Sequence, residues 1–254
     1  MKLYVLGVGD TFSEKHVTHA LLLEHDGFRL AIDCPDSYRR VLRQARDRAA
    51  PERSSEAEKT LDLFAIDDVL VTHIHGDHMN GLEGVGYFKH FAQKKPLSLH
   101  TIAPVKDGLW EGRLGAPMGR LWNGSTFREL SFEDYFAWNE VTIERACRIG
   151  PFEVMARLTK HHVPTSALLV RCGTSSIGIS SDTAFDPALI AWLSQADLIV
   201  HETNHGPAHT AYPDLLTLER STRDRMHLIH YPDEHDVAKS EIPCLTEGQV
   251  IDLG

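Results

Sequence analysis

Four residues that can bind metal ions lie within six positions of the chain. Directly after the apolar run 69–71 come His73, His75, Asp77 and His78. Side chains two positions apart in an extended segment share a face, so His73 and His75 are predicted to point the same way from the end of a strand. Imidazole and carboxylate groups are the ligands that Zn²⁺, Fe²⁺ and Mn²⁺ prefer. The cluster therefore predicts a metal site.

The backbone after His75 must turn for the remaining donors to reach the same place. Gly76 allows a sharp turn, which brings Asp77 and His78 back toward His73 and His75. An apolar strand, a turn residue and four ligand types thus coincide in one short segment.

Three later segments end apolar runs with further donors. His161 and His162 follow the run 153–158, Asp182 follows 176–180, and the run 227–230 contains His227 and His230. Strand ends on one edge of a sheet converge, so these donors and the first cluster can together supply two tetrahedral or five-coordinate ions. Asp182 would bridge them. The residue pattern leaves two pairs of alternatives open, His161 or His162 and His227 or His230.

The donors are positioned by a chain that alternates short apolar runs with helical patterns. The runs are typical of strands, and helices are predicted at 38–45, 186–193 and 214–225. The polar stretch 50–59 is predicted to be a loop or a helix end. Strands in both halves with helices between them predict two sheets packed face to face with helices outside. We expect a single domain over residues 1–254.

Composition restricts the partners of this chain. It has 254 residues, 42% of them hydrophobic, and a formal net charge of −10, which argues against a general surface for polyanions. The four cysteines form no CxxC pair and are predicted to be free thiols. The chain begins as a strand and has no apolar run near the ~18 residues of a membrane span. These features predict a cytoplasmic protein without membrane contact.

The order of these motifs resembles the metallo-β-lactamase superfamily, and the resemblance covers nearly the whole chain. It begins at Leu6–Gly9 and Leu30–Cys34. It implies an α/β fold, an αββα four-layer sandwich of two mixed sheets, with a dinuclear metal site. One ion would be held by His73, His75 and His161, and the other by Asp77, His78 and His230, with Asp182 as the bridge. The ions implied are two divalent cations, Zn²⁺ first, with Mn²⁺ or Fe²⁺ compatible with the same donors.

The segment Leu198–Thr203 and the histidines after it resemble the ribonuclease Z-like and cyclic-nucleotide phosphodiesterase branch. In that branch Glu202 would orient His209, and His209 would protonate the leaving alkoxide, with His205 as its rival. The catalytic residues implied are Asp77, Glu202 and His209. The implied reaction is attack on phosphorus by a hydroxide that bridges the metals.

The substrate is expected to be a small phosphodiester such as a cyclic nucleotide. Residues 89–128 mix basic and aromatic side chains, among them Trp110 and Trp122, and could form a lid or a dimerisation segment. The chain lacks a Gly/Pro-rich arm for gripping tRNA, so a stable nucleic-acid complex is not expected. The resemblance implies a homodimer. No substrate-binding residue is identified from the sequence.

Three other functions are alternatives. The first is a lactonase or other carbonyl hydrolase, in which Tyr212 or Tyr231 would stand near the metals. The second is an endoribonuclease that processes tRNA 3′ ends. The third is a metal-stabilised binding or regulatory protein with little turnover.

Overall fold

A computed structural model describes residues 1–48 and 61–254 of the chain. The loop predicted at 50–59 lies outside these residues. The described residues form two large sheets, a small hairpin and several helices.

The first sheet has seven strands. In chain order they are β1 (Lys2–Gly7), β2 (Ala20–His25), β3 (Phe28–Ile32), β4 (Asp68–Leu70), β5 (Leu97–Thr101), β8 (Phe136–Glu140) and β15 (Val250–Asp252). The spatial order is β15-β1-β2-β3-β4-β5-β8. Pairing is antiparallel from β15 to β3 and parallel from β3 through β4 and β5 to β8. This sheet is therefore mixed.

The second sheet has six strands. They are β9 (Cys147–Ile149), β10 (Phe152–Leu158), β11 (Ser166–Cys172), β12 (Ser175–Ile179), β13 (Leu198–Glu202) and β14 (Met226–Ile229). The spatial order is β14-β13-β12-β11-β10-β9, with β12, β13 and β14 parallel and the other pairs antiparallel. A separate hairpin joins β6 (Arg120–Trp122) and β7 (Phe127–Glu129).

Eight α-helices connect these strands in the described part of the chain. They are α1 (Tyr38–Arg48), α2 (Gly76–Met79), α3 (Gly81–Phe88), α4 (Ala103–Leu109), α5 (Gly115–Met118), α6 (Pro187–Leu193), α7 (Tyr212–Leu216) and α8 (Arg220–Arg223). The predicted start of α6 is present, because the Asp186 side chain accepts a hydrogen bond from the amide of Ala188 at 3.0 Å and Pro187 opens the helix.

One hydrophobic cluster fills the space between the sheets. It takes the inward side chains of both, for example Leu21 and Leu30 from the first sheet and Val154 and Ile177 from the second. Helix α1 packs on β1 and α6 packs on β12, so helices cover both sheets. The predicted αββα sandwich of two mixed sheets is confirmed.

Two predicted elements differ from the observed ones. Strand β4 ends at Leu70, so His73 and His75 lie in the loop after the strand rather than at its end. The single helix predicted at 214–225 is two short helices, α7 and α8. Thr217 ends α7, where its hydroxyl donates to the Asp214 carbonyl at 2.6 Å, a local bond that competes with continued helix.

The segment 89–128 contributes to more than one part of the fold. Its strand β5 lies inside the first sheet, between β4 and β8. Trp110 packs near Phe132 and Tyr135, with ring centroids 6.1 and 6.2 Å away. The Trp122 side chain, on the hairpin, is exposed.

All four cysteines are free thiols, as predicted. Among the described residues, no helix combines the length and the apolar character needed to cross a membrane.

Candidate metal centre

The donors lie close together because five strands end at the same edge of the sandwich. They are β4, β10, β12, β13 and β14. Asp182, Glu202 and His230 lie at or just after the ends of the parallel strands β12, β13 and β14. Strand β10 runs in the same direction as β12, because both pair antiparallel with β11, and His161 follows it. Carboxyl ends of parallel strands are where α/β folds place their ligands.

The first sheet brings the remaining donors to the same edge. After β4, the amide of Ser166 donates to the Thr72 carbonyl at 3.1 Å and joins this loop to the second sheet. Helix α2 then begins at Gly76 and carries Asp77 and His78. Gly76 does not have a positive φ here. The turn into α2 therefore does not need the conformational freedom of glycine, and a Cβ on Gly76 would lie 2.7 Å from the end of the Asn80 side chain.

The structure brings all seven predicted metal ligands together in two neighbouring groups. In the first, donor atoms within 4.8 Å of one another come from His73, His75, His161 and Asp182. In the second they come from Asp77, His78 and His230. Asp182 joins the groups, because its oxygens lie 3.7 Å from the Nε2 of His73 and 3.4 Å from the Nε2 of His78.

The separations between donors fit tetrahedral coordination. Two ligand atoms about 2.1 Å from a tetrahedral ion are about 3.4 Å apart. His161 Nε2 and His75 Nδ1 are separated by 3.1 Å. In the second group, an Asp77 oxygen is 3.3 Å from His230 Nε2 and 3.5 Å from His78 Nε2.

Several of these atoms are buried without a hydrogen-bond partner in the described part of the protein. They are His73 Nε2, His78 Nε2 and Asp182 Oδ1. Buried polar atoms are normally satisfied, and an orphan requires an explanation such as an ion. Two divalent cations at these positions would satisfy all three atoms, so the residues fit the metals that the fold implies.

For two of the histidines, hydrogen bonds indicate which ring nitrogen is free. The Nδ1 of His161 donates to the Ala208 carbonyl at 3.0 Å, since a carbonyl can only accept. The Nδ1 of His78 donates to Asp33 at 2.7 Å. Each bond leaves Nε2 with a lone pair directed at the other donors, which is the arrangement that orients metal-binding histidines.

Asp33 was not predicted to belong to the site. Its carboxylate also accepts from the amide of Thr72 at 2.8 Å and lies 3.1 Å from the Nδ1 of His19. Burial acts to raise the pKa of Asp33, but the charge of His78 and the hydrogen bonds from both histidines outweigh it and lower the pKa. The sequence signal was the position of Asp33 directly after β3, beside the end of β4.

The histidines of the first group are neutral near pH 7 because burial disfavours their charged form. Burial lowers the pKa of His161 to about 4 and also lowers the pKa of His75. Neutral imidazole is the form that binds metals. In the second group, the charges of Asp182, Asp33 and Asp77 outweigh burial and raise the pKa of His78.

The geometry separates the two pairs of alternative donors. His161 belongs to the first donor group. His162 belongs to neither group, although it lines a cavity next to them. His227 is a half-buried residue within β14, outside both groups, whereas His230 follows that strand and joins the second.

His209 lies beside the metal donors. Its Nδ1 is 3.0 Å from Glu202 Oε1, which also accepts from the Thr183 amide at 2.7 Å. A ring nitrogen of His209 lies within 4.8 Å of donor atoms of Asp182 and His230. Its rival His205 is mostly exposed and pairs with Glu234 at 2.9 Å.

A cavity of about 510 Å³ opens over the donors. His75, Asp77, Asp182 and His209 line it. Among the described residues that line the cavity, five are carboxylates and none is lysine or arginine. Cations held by the donors would offset these carboxylates and attract an anion to the cavity.

A family profile described as "Anti-Pycsar protein Apyc1" matches residues 1–247. An Anti-Pycsar protein Apyc1 from Saccharibacillus brassicae is 30% identical over 251 residues, which cover 93% of this chain and 92% of the relative.

Two solved structures are similar in fold. The metallo-β-lactamase fold protein YhfI from Bacillus subtilis has a TM-score of 0.75 at 15% identity, covering 98% of each chain. Zn²⁺-bound PqqB from Methylobacterium extorquens has a TM-score of 0.70 at 13% identity, covering 100% of each chain. The predicted superfamily is confirmed.

Proposed function

The chain belongs to the Anti-Pycsar protein Apyc1 family and is a metal hydrolase of the metallo-β-lactamase fold, and from this premise we propose that it is a phosphodiesterase of cyclic nucleotides. The observation that carries the proposal is the pair of donor groups joined at Asp182, with His209 and Glu202 beside them. Cations held by these donors would supply the charge neutralisation that hydrolysis of an anionic substrate needs.

The proposed ligands follow the two groups. One ion would be held by His73, His75, His161 and Asp182, and the other by Asp77, His78, His230 and Asp182. When bound, the ions lower the pKa of a water molecule and neutralise charge on the phosphoryl oxygens. Zn²⁺ is the proposed metal, because imidazole and carboxylate donors suit it and PqqB of the same fold is Zn²⁺-bound.

Glu202 and His209 are proposed to handle the proton. Burial, and after it the charge of Asp182, raises the pKa of Glu202. Glu202 Oε1 fixes the Nδ1–H of His209 and leaves the Nε2 of that ring for the substrate. His209 would then donate a proton to the alkoxide that leaves phosphorus, while Glu202 positions it.

The charge of the site favours a small substrate over RNA. A long polyanion would meet the carboxylates of the cavity and a chain of net charge −10. A cyclic nucleotide carries one negative charge, which the cations can neutralise.

We also propose that the protein is a cytoplasmic homodimer. In it, the hairpin β6–β7, which carries the exposed Trp122, would either cover the site or contact the partner subunit.

The positions of Tyr212 and Tyr231 weaken the lactonase alternative, which required one of them near the metals. The buried Tyr231 hydroxyl donates to the Leu245 carbonyl at 2.8 Å. The Tyr212 hydroxyl accepts from the amide of Glu241 at 2.7 Å. Neither residue lines the cavity.

A substrate screen tests the proposal. Metal-loaded protein is incubated with 3′,5′- and 2′,3′-cyclic nucleotides, linear dinucleotides, bis-p-nitrophenyl phosphate and a homoserine lactone. We expect hydrolysis of cyclic nucleotides that is lost in His75→Ala and Asp182→Ala and kept in His227→Ala, whose side chain lies outside the donor groups. Lactone opening with inert phosphodiesters would contradict the proposal. Full metal content with no turnover would favour a binding protein.

A further inference from the structure

Phe12 is a large apolar side chain left in solvent at the mouth of the metal cavity. It is 86% exposed, more than any other large hydrophobic residue in the described part of the chain. It lines the same cavity as His75, Asp77 and Asp182. Apart from histidines, no other aromatic residue among the described ones lines this cavity.

The turn that carries Phe12 is held in place by one carboxylate. Asp233 accepts hydrogen bonds from the Ser13 hydroxyl, from the Glu14 amide at 2.8 Å and from the Lys15 amide at 3.1 Å. The ammonium of Lys15 donates back to the Asp233 carbonyl at 2.8 Å. Four bonds over three residues fix this loop to the segment that follows His230.

A second set of contacts connects Phe12 to the metal donors. The Phe12 amide donates to Asp10 Oδ1 at 2.9 Å. The side-chain amide of Asn204 donates to the other oxygen of Asp10 at 3.1 Å and lies 3.4 Å from the Nδ1 of His230. Asp10 is only 3% exposed. Hydrogen bonds therefore link the backbone of Phe12 through Asp10 and Asn204 to the neighbourhood of His230.

The cavity interacts differently with the charged phosphate and with the uncharged part of a substrate. Five carboxylates and no lysine or arginine are among the described residues that line the cavity, so bound cations would be the main attraction for the phosphate. A planar, uncharged part of the substrate gains nothing from these carboxylates. It does gain from an aromatic face, because stacking on one removes apolar surface of both rings from water.

We propose that Phe12 is the platform on which the nucleobase of the substrate stacks, held by Asp233 and Asp10 at a fixed place relative to the metals. This inference rests on the proposed function, because it names the part of the cyclic nucleotide that the metals do not hold. A platform ordered before binding costs less entropy than one ordered by the ligand.

Substitution of Phe12 in the metal-loaded enzyme tests the platform. Phe12→Ala should raise KM for 3′,5′-cyclic AMP about 5- to 150-fold, the range of stacking losses on alanine substitution, with kcat nearly unchanged. Phe12→Trp and Phe12→Tyr should restore KM, and Phe12→Leu should not. Binding of a hydrolysis-resistant phosphorothioate analogue of cyclic AMP, measured by calorimetry, should weaken by the same factor in Phe12→Ala.

A base-free substrate separates stacking from a structural effect. Ribose 3,5-cyclic phosphate without a base should be hydrolysed equally by wild type and Phe12→Ala. Phe64→Ala, which removes another exposed phenylalanine far along the chain from this loop, should change neither KM. Asp233→Ala should raise KM for cyclic AMP but not for the base-free substrate, because the loop that carries Phe12 loses its hydrogen bonds to Asp233.

The outcomes distinguish the two proposals. If wild type hydrolyses cyclic AMP and Phe12→Ala has an unchanged KM, the platform is contradicted while the phosphodiesterase stands. An equal loss on the base-free substrate would also contradict it. If wild type hydrolyses no cyclic nucleotide but opens a lactone, the proposed function fails first.

Discussion

At the scale of single residues, the site depends on side chains that orient the donors. The donor types and their spacing were predictable, because imidazoles and carboxylates after apolar strands are visible in the sequence. Their orientation was not, since it comes from Asp33 and from the carbonyl of Ala208, far from the histidines along the chain. Three non-glycine residues of this region also adopt positive φ: Asp33 at 62°, Ser181 at 51° and His230 at 55°. Such strain is common at functional sites.

The first residue-scale prediction concerns His209. We expect His209→Ala to lower kcat for a cyclic nucleotide about 10²- to 10⁴-fold, the usual contribution of a positioned general acid. Its metal content, measured by inductively coupled plasma mass spectrometry, should stay at the wild-type value. His205→Ala is the matched control and should keep kcat, because that side chain is 74% exposed and pairs with Glu234. Loss of an ion in His209→Ala would make His209 a ligand and contradict its assignment as the acid.

At the scale of elements, the site is the common end of strands that run in one direction. Apolar runs predicted nearly every one of these strands, and the donors that follow β10, β12 and β14 were found by the same reasoning. The end of β4 and the break between α7 and α8 were not predictable. The loop after β4 is tied to the second sheet by the Ser166 amide on Thr72, a contact distant in sequence. The break after α7 accompanies a side-chain bond of Thr217 to the Asp214 carbonyl, which the apolar spacing does not reveal.

The element-scale prediction concerns α3, whose first residue approaches the backbone of another loop. A Cβ on Gly81 would lie 2.1 Å from the Pro35 carbonyl oxygen, beside the loop that contains Asp33. We expect Gly81→Ala to lower the free energy of unfolding by about 1–3 kcal/mol, the usual cost of overpacking. Urea denaturation followed by circular dichroism measures this change.

Gly84→Ala on the same helix is the control. Nothing lies within 4 Å of a Cβ at Gly84, which is exposed. Alanine there should raise the free energy of unfolding by up to about 1 kcal/mol, because it has the higher helix propensity. Equal effects of the two substitutions would show that the close contact at Gly81 does not limit the packing of α3.

At the scale of the whole molecule, the proposed metal centre takes its donors from both sheets. His73, His75, Asp77 and His78 follow the first sheet, whereas His161, Asp182 and His230 follow the second. Charged and polar groups from both sheets are thus packed at one edge, and bound cations would offset the repulsion among their carboxylates. The overall fold was predictable from the motif order. The cavity and its loop with Phe12 were not, because they depend on how the segments pack.

The whole-molecule prediction is that metal removal lowers thermal stability. Ions that bind only the folded chain stabilise it, by about 4 kcal/mol at a free concentration 1,000 times Kd. For a chain of this size, treatment with a chelator should therefore lower Tm by roughly 10 °C, as measured by calorimetry. In Asp182→Ala, which lacks the shared donor, the chelator should have a much smaller effect. An unchanged wild-type Tm would show that the two sheets are not joined through metals.

Hydrolysis of 3′,5′-cyclic AMP in ¹⁸O-labelled water by the metal-loaded chain is the most direct test of the central claim. The product is followed by ³¹P NMR and mass spectrometry, with Asp182→Ala as the inactive control. The predicted result is a nucleoside monophosphate with one ¹⁸O atom on phosphorus, because water attacks phosphorus and the ester bond breaks there. An unchanged cyclic nucleotide in the presence of two bound ions per chain would contradict the assignment of this site to phosphodiester hydrolysis.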